Sequence, residues 1–172
     1  MTALAATRPG VTLPPMSTAA INDRPLTYEE ERGKPMPSKN HAAVQTNLAI
    51  EFSRARDFRV LSELNVSLGG QPFTPDLCVY SRQPLDYRHD VVRVAEPPLV
   101  IVEIFSPSQG YQDVMDKVTH YLEHGVKSCW VVIPPTRTIT IYTPDGAQQT
   151  SSEGIAIDPA VGIEADLAAV FS

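Results

Sequence analysis

Helical and strand-like spacings of apolar residues follow one another along most of the chain. Residues 38–57 carry apolar and small side chains at helical spacing behind Ser38, which predicts a helix with Ser38 as its N-cap and His41 on its apolar face. Residues 60–68 then alternate with a period of two, which predicts a strand ending at the Gly69-Gly70 turn. Further apolar runs predict strands at 77–80, 128–133, 138–142 and 155–157.

Residues 99–105 form the most apolar run, Leu-Val-Ile-Val-Glu-Ile-Phe. A strand that is apolar on both sides is typical of the centre of a sheet covered on both faces. A helix is predicted at 111–124, closed by Gly125, and a short one at 164–171. This order predicts an α/β (α+β-like) domain with a mixed central sheet flanked by helices.

The length and composition favour one globular domain. The chain has 172 residues, of which 42% are hydrophobic. Residues 1–24 are rich in Ala, Thr and Pro and are predicted to be a flexible tail, leaving 25–172 as a single domain that opens with a short helix capped by Thr27. Residues 1–15 lack a signal-peptide pattern and no apolar stretch approaches a membrane span, so we expect a soluble cytoplasmic protein without membrane contact.

The charge and the cysteines narrow the possible functions. The net charge of -6 repels nucleic-acid phosphates at long range, so nucleic-acid binding would need a local basic patch or a metal cation. Arg54, Arg56 and Arg59 could supply such a patch, although a solvated helix end is the simpler interpretation. Cys78 and Cys129 lie in apolar runs without metal-ligand spacing, which indicates buried, reduced thiols.

Glu103 is the residue most informative about function, because it interrupts the apolar central strand. A carboxylate buried there must be ion-paired, protonated or bound to a metal. Asp76 follows Pro75 at the start of the strand 77–80, where a turn or capping role would be its ordinary explanation. Carboxylates on neighbouring strands can also share Mg²⁺, which prefers oxygen ligands and keeps several waters.

Three more residues could join these two acids. Lys117 lies on or beside the inward face of the helix 111–124, where it could extend to solvent, pair with Asp113 or reach a buried carboxylate. Glu63 could join the acidic cluster or be a solvated strand residue. His41 could contact a scissile phosphate or only pack against its helix.

These residues, taken in order, resemble a known family. Pro75-Asp76, Val-Glu-Ile-Phe-Ser-Pro-Ser around Glu103, Lys117 and the segment 121–130 are similar to the Uma-type restriction endonuclease family of the PD-(D/E)XK nuclease superfamily. The resemblance implies a restriction-endonuclease-like fold, Mg²⁺-dependent phosphodiester hydrolysis and Asp76 and Glu103 as metal ligands. The superfamily lysine belongs two residues after Glu103, where this chain has Phe105, and Lys117 is the candidate that replaces it.

Two hypotheses follow for the function. The first is an endonuclease dependent on Mg²⁺ or Mn²⁺ that acts on nucleic acid, with DNA as the expected substrate, and that forms a homodimer. Asp76, Glu103 and Lys117 would be its catalytic residues, with Glu63 and His41 as possible accessories. The second is a non-catalytic interaction or scaffold protein, in which Asp76, Glu103 and Lys117 form a buried ion-pair network.

Overall fold

The computed structural model describes residues 36–107 and 109–172. These described residues form three α-helices, namely α1 (Lys39–Ser53), α2 (Tyr111–Glu123) and α3 (Leu167–Val170). Its strands are β1 (Phe58–Ser62), β2 (Val66–Leu68), β3 (Gln71–Phe73), β4 (Leu77–Ser81), β5 (Val100–Ile104), β6 (Ser128–Ile133), β7 (Thr138–Tyr142), β8 (Gln148–Ser151), β9 (Ile155–Ile157) and β10 (Glu164–Asp166). The predicted tail 1–24 and the short helix after Thr27 lie outside the described residues.

The central sheet has six strands in the order β1-β4-β5-β6-β7-β8. All neighbours are antiparallel except β5 and β6, which are parallel and are connected through α2. Two small antiparallel pairs, β2–β3 and β9–β10, complete the structure. The predicted fold class, a mixed central sheet with flanking helices, is therefore confirmed.

Alternate side chains of the central strands face opposite sides of the sheet, and each side is covered by a helix. On one side α1 packs together with β9–β10 and α3, and Phe52 meets Trp130 edge-on at 4.9 Å between ring centroids. On the other side α2 packs together with β2–β3, and Phe73 contacts Tyr121 at 5.0 Å. The central strand β5 is buried along its whole length, as the sequence predicts.

The buried carboxylate of Asp158 fixes the segment between β9 and β10 to the sheet. Its side chain accepts hydrogen bonds from Ser128 Oγ, from Trp130 Nε1 at 2.6 Å and from the backbone N–H groups of Ala160 and Val161. Because these donors account for the burial of its charge, Asp158 has a structural explanation.

Three sequence-based boundaries differ from the structure. The strand predicted at 60–68 is broken at Glu63, whose φ of 55° lies in the left-handed region and separates β1 from β2. The first helix ends at Ser53 rather than at residue 57, because β1 begins at Phe58. Residues 164–166 pair with β9, so the helix predicted at 164–171 is only the four residues of α3, with Asp166 as its N-cap.

Within the described ranges, no helix is both long and apolar enough to cross a membrane. Cys78 and Cys129 are buried thiols, as predicted.

Candidate active site

Three acidic residues lie in a row across the ends of β1, β4 and β5. The antiparallel register of β4 and β5, continued by one residue, places Asp76 opposite Glu103. The register of β1 and β4, continued in the same way, places Glu63 opposite Asp76. Asp76 and Glu103 therefore occupy opposite backbone positions of paired strands, with Asp76 directly before β4 begins.

The Asp76 carboxylate is buried, with 2% of the residue exposed, and is held at both of its oxygens. Oδ2 accepts the backbone N–H of Ile104 at 2.7 Å, which ties β5 directly to the acid. Oδ1 lies 3.1 Å from Nε2 of His41, which α1 contributes from its first turn. Asp76 is therefore positioned by a strand and by a helix from different parts of the chain.

Glu103 is equally buried, with 3% exposed, and faces α2. Its Oε1 accepts the Tyr121 hydroxyl at 2.7 Å, and its Oε2 lies 3.5 Å from Nζ of Lys117. Burial and the negative charge of Glu103 raise the pKa of Tyr121 far above its ordinary value, so the hydroxyl stays protonated at all physiological pH values and donates a hydrogen bond to Glu103.

Lys117 lies at the border of the buried face of α2, next to Val114, Val118 and Tyr121. Its side chain is 28% exposed, so the ammonium group contacts Glu103 while it remains accessible to solvent. The sequence allows Lys117 to extend to solvent, to pair with Asp113 or to reach a buried carboxylate, and the structure shows the contact with the buried carboxylate of Glu103. The Asp113 carboxylate instead lies over Gly110 at the start of α2.

Phe105 occupies the position of the superfamily lysine and is partly buried against the cluster that contains α2. It follows Glu103 by two residues, and alternate residues of a strand share one side of the sheet, so both belong to the α2 side. The only ammonium that the structure places on Glu103, within the described residues, comes from Lys117. A lysine from α2 thus reaches the acid that a lysine from β5 would have reached.

His41 and Glu63, the two accessory candidates, are connected to Asp76 in different ways. His41 bridges Asp76 and the Ser106 hydroxyl, which lies 2.9 Å from its Nδ1. The Glu63 carboxylate accepts a hydrogen bond from Nε2 of Gln45 at 3.2 Å. The same Gln45 amide donates a hydrogen bond to the backbone carbonyl of Asp76 at 2.9 Å. The arginine cluster begins at the opposite end of α1, where Arg54 pairs with Glu51 at 2.9 Å.

The family is decided by the comparison with known proteins. Residues 28–168 match the Uma2 family, whose description is "putative restriction endonuclease". The chain belongs to the Uma2 family. None of the curated proteins compared with the chain matches it significantly.

The fold of this Uma2 protein is also found in a solved structure. A crystal structure described as that of a putative nuclease belonging to DUF820, from Anabaena variabilis, is 25% identical in sequence and superposes with a TM-score of 0.68. The match covers 80% of this chain and 83% of the other. Family and fold together support a nuclease role.

The donor set of this Uma2 protein is suited to a hard divalent cation. Nucleases of the PD-(D/E)XK type usually use divalent metals. Mg²⁺ is commonly held by one or two carboxylates together with waters, and Asp76 and Glu103 are two buried carboxylates at opposite positions of paired strands. Among the described residues no group of three or more His, Cys, Asp and Glu side chains is arranged to hold a metal, so Glu63 does not complete such a group.

Sequence reasoning missed three contacts of the site, those made by Tyr121, Ser106 and Gln45. The helical spacing of Tyr121 indicates only the apolar stripe of α2, although a buried tyrosine hydroxyl needs a partner and Glu103 is a buried acid that lacks an explanation in the sequence. Nothing in the local sequence around Ser106 or Gln45 indicates that they meet Asp76 or His41, because these contacts join residues 31 to 65 positions apart.

Proposed function

We propose that this protein is an endonuclease dependent on Mg²⁺ or Mn²⁺ that hydrolyses phosphodiester bonds, with DNA as its substrate. The observation that carries the proposal is the pair of buried carboxylates, Asp76 and Glu103, on directly opposite strand positions with Lys117 beside them. Membership of the Uma2 family and the nuclease-like fold support the same activity.

The electrostatics of the pair favour a bound cation. Two neighbouring carboxylates in a water-poor strand repel each other, and burial removes the solvent that would screen them. Lys117 contacts Glu103 while its ammonium group remains partly in solvent. Asp76 and Glu103 would hold the metal, which when bound supplies charge neutralisation at the phosphate and a more acidic water.

The surrounding residues have distinct roles in this proposal. Tyr121 holds Glu103 in one orientation through a hydrogen bond of 2.7 Å. The Lys117 ammonium, which is partly exposed, is available to stabilise negative charge that develops on the scissile phosphate. Glu63, which is linked to the Asp76 carbonyl through Gln45, is an accessory that can orient water at the edge of the site.

The net charge of -6 makes this protein repel nucleic acid at long range. Local cations, namely the metal and Lys117, would therefore provide most of the attraction for the substrate phosphate. We expect binding to be weak without divalent metal and to depend on ionic strength only modestly, because few phosphates are neutralised by basic side chains.

The test is nicking of supercoiled plasmid DNA with Mg²⁺, Mn²⁺ or chelator, with a single-stranded RNA substrate assayed in parallel. Asp76→Asn and Glu103→Gln should each lower the cleavage rate by at least about 100-fold, because each removes a negative ligand while preserving side-chain shape. Lys117→Met should lower the rate but retain metal binding.

Asp116→Asn is the matched control, because Asp116 is an exposed acid on the same helix that pairs with Gln112. It should cleave at the wild-type rate. Wild-type protein that cleaves neither DNA nor RNA and binds neither metal would contradict the proposal, as would an Asp76→Asn variant with unchanged cleavage.

A second candidate function is a non-catalytic interaction or scaffold protein that retains the nuclease fold. The observation in its favour is the contact of Lys117 with Glu103 together with Phe105 at the usual lysine position, which allows an ion pair in place of a metal site. In that case Lys117→Met would destabilise the protein, because Glu103 would lose its cationic partner, and added Mn²⁺ would not restore the stability.

We also propose a homodimer in the cytoplasm. The buried thiols of Cys78 and Cys129 are consistent with a reducing compartment. Sedimentation of the purified chain tests the dimer directly, and a monomer at all accessible concentrations would contradict it.

A further inference from the structure

A closed ring of contacts surrounds the Asp76 carboxylate. One oxygen accepts the Ile104 N–H at 2.7 Å, and the other meets His41 Nε2 at 3.1 Å. His41 Nδ1 in turn lies 2.9 Å from Oγ of Ser106, which follows Ile104 by only two residues. The ring thus starts and ends on the same short stretch of backbone.

Each member of the ring is fixed independently of the carboxylate. His41 occupies the first turn of α1, where its backbone N–H donates to the N-cap Ser38 at 3.3 Å. Ser106 is fixed by Gln109, whose side-chain oxygen accepts the Ser106 N–H at 3.1 Å and whose own N–H donates to the Ser106 carbonyl at 3.0 Å. Only 6% of His41 and 5% of Ser106 are exposed.

The hydrogen-bond partners assign the tautomer of His41. An ionised Asp76 can only accept, so the proton of a neutral imidazole lies on Nε2. Nδ1 then accepts the Ser106 hydroxyl proton. Residues that do not bind a metal themselves often fix the orientation of a metal ligand through such hydrogen bonds. Here the group whose orientation is fixed is the Asp76 carboxylate.

We propose that His41, held by Ser106, is a positioning residue that keeps the Asp76 carboxylate oriented toward Glu103 for cation binding. This inference rests on the proposed metal-dependent function. His41 acts on the carboxylate and not on the scissile phosphate, which separates this role from direct contact with substrate. A carboxylate has about four acceptor sites, so the contacts with His41 and Ile104 are compatible with metal coordination.

The experiment measures Mn²⁺ affinity by calorimetry and by electron paramagnetic resonance of free Mn²⁺. His41→Leu, which removes the donor, should weaken Mn²⁺ binding by about 10- to 100-fold. His41→Gln should recover most of the affinity, because its amide can donate from nearly the same point as Nε2. Ser106→Ala should weaken binding less than His41→Leu, and Ser106→Thr should restore it.

Two controls isolate the effect. His89→Leu removes an exposed histidine and Ser53→Ala an exposed hydroxyl, and neither should change Mn²⁺ affinity. Thermal unfolding of all variants without metal identifies those that fail to fold. If His41→Leu does not fold, Ser106→Ala carries the test, because Ser106 lies outside the direct contact with Asp76.

A metal-free readout accompanies the affinity measurement. Nitrogen NMR of the imidazole should show His41 as the Nε2–H tautomer in the wild type. In Ser106→Ala the Nδ1 resonance should shift, because Nδ1 loses its hydrogen-bond donor while Asp76 keeps the proton on Nε2, a change that general destabilisation would not produce. Wild-type affinity in both His41→Leu and Ser106→Ala would overturn the positioning role while leaving the metal site intact. Wild-type protein that binds no Mn²⁺ would overturn the proposed function and, with it, this inference.

Discussion

Tyr121 is the side chain that most closely links stability and site geometry, because it is fully buried and its hydroxyl donates to Glu103 at 2.7 Å. Tyr121→Phe keeps the ring and removes this hydrogen bond to a charged acceptor. We expect the free energy of unfolding at pH 7 to fall by about 1.5–3 kcal/mol, measured by urea denaturation. An unchanged stability would show that Glu103 does not depend on this donor.

The same substitution has a predicted pH dependence. Burial, then the charge of Glu103, raise the pKa of folded Tyr121 above its ordinary value of 10.0. The unfolded chain therefore releases this proton near pH 10 while the folded chain retains it, so the stabilisation is complete below about pH 10 and is lost as the pH rises further. Tyr121→Phe should lose less stability than the wild type between pH 10 and 11.

Tyr87→Phe is the control for the loss of a phenol, because Tyr87 is 88% exposed. Its stability should follow that of the wild type across the same pH range. Equal alkaline slopes for Tyr121→Phe and wild type would contradict the buried Tyr121–Glu103 contact.

The sequence alone identifies acids of the candidate site, but it does not identify the polar residues that contact them. Glu103 interrupts an apolar strand, which is costly unless the charge is compensated, so its importance is visible locally. Ser106 and Gln45 are ordinary polar residues whose partners lie far away in the chain. The catalytic roles of Asp76, Glu103 and Lys117 stay predictions that the experiments above test.

At the scale of elements, the β2–β3 turn depends on contact with the end of α2. Gly69 has φ +59°, and a Cβ there would lie 2.2 Å from Nε2 of His124. The His124 ring cannot move aside freely, because it stacks on His120 at 4.1 Å and its Nδ1 bonds the His120 carbonyl. Gly70 has φ +81° with no atom within 4 Å of an added Cβ.

Gly69→Ala should therefore cost more than Gly70→Ala. We expect about 1–2 kcal/mol for the backbone strain at either glycine and a further ~1–3 kcal/mol for the collision at Gly69. In a His124→Ala background the extra cost should disappear, which a double-mutant cycle measured by denaturation would show. Equal costs at both glycines would contradict the packing of His124 on the turn.

The predicted limits of a strand are correct where an apolar run is bounded by glycine or proline. The strands 128–133 and 138–142 have the predicted limits, because apolar runs are bounded by Gly125 and by Pro134-Pro135. The prediction failed at 60–68, where the alternation continues through Glu63 although the backbone turns there. It also missed β8, Gln148–Ser151, which is a polar edge strand that lacks an apolar face.

At the scale of the whole molecule, the order of strands creates the candidate site. Asp76 and Glu103 lie 27 positions apart in the sequence and become neighbours only because β4 pairs with β5. Lys117 reaches Glu103 because α2 connects the parallel strands β5 and β6 across that face. The element order predicted a mixed sheet, but the pairing that brings these residues together required tertiary structure.

The central claim is that Asp76 and Glu103 bind one cation together, and a crystal structure of the protein with Mn²⁺ tests it most directly. Anomalous scattering at the manganese edge should show one ion with oxygens of both carboxylates at about 2.0–2.3 Å, the range of hard divalent ions. The same crystals of Glu103→Gln should show the ion weakened or lost. A wild-type map with no ion between the two acids, at Mn²⁺ concentrations that support cleavage, would contradict the account.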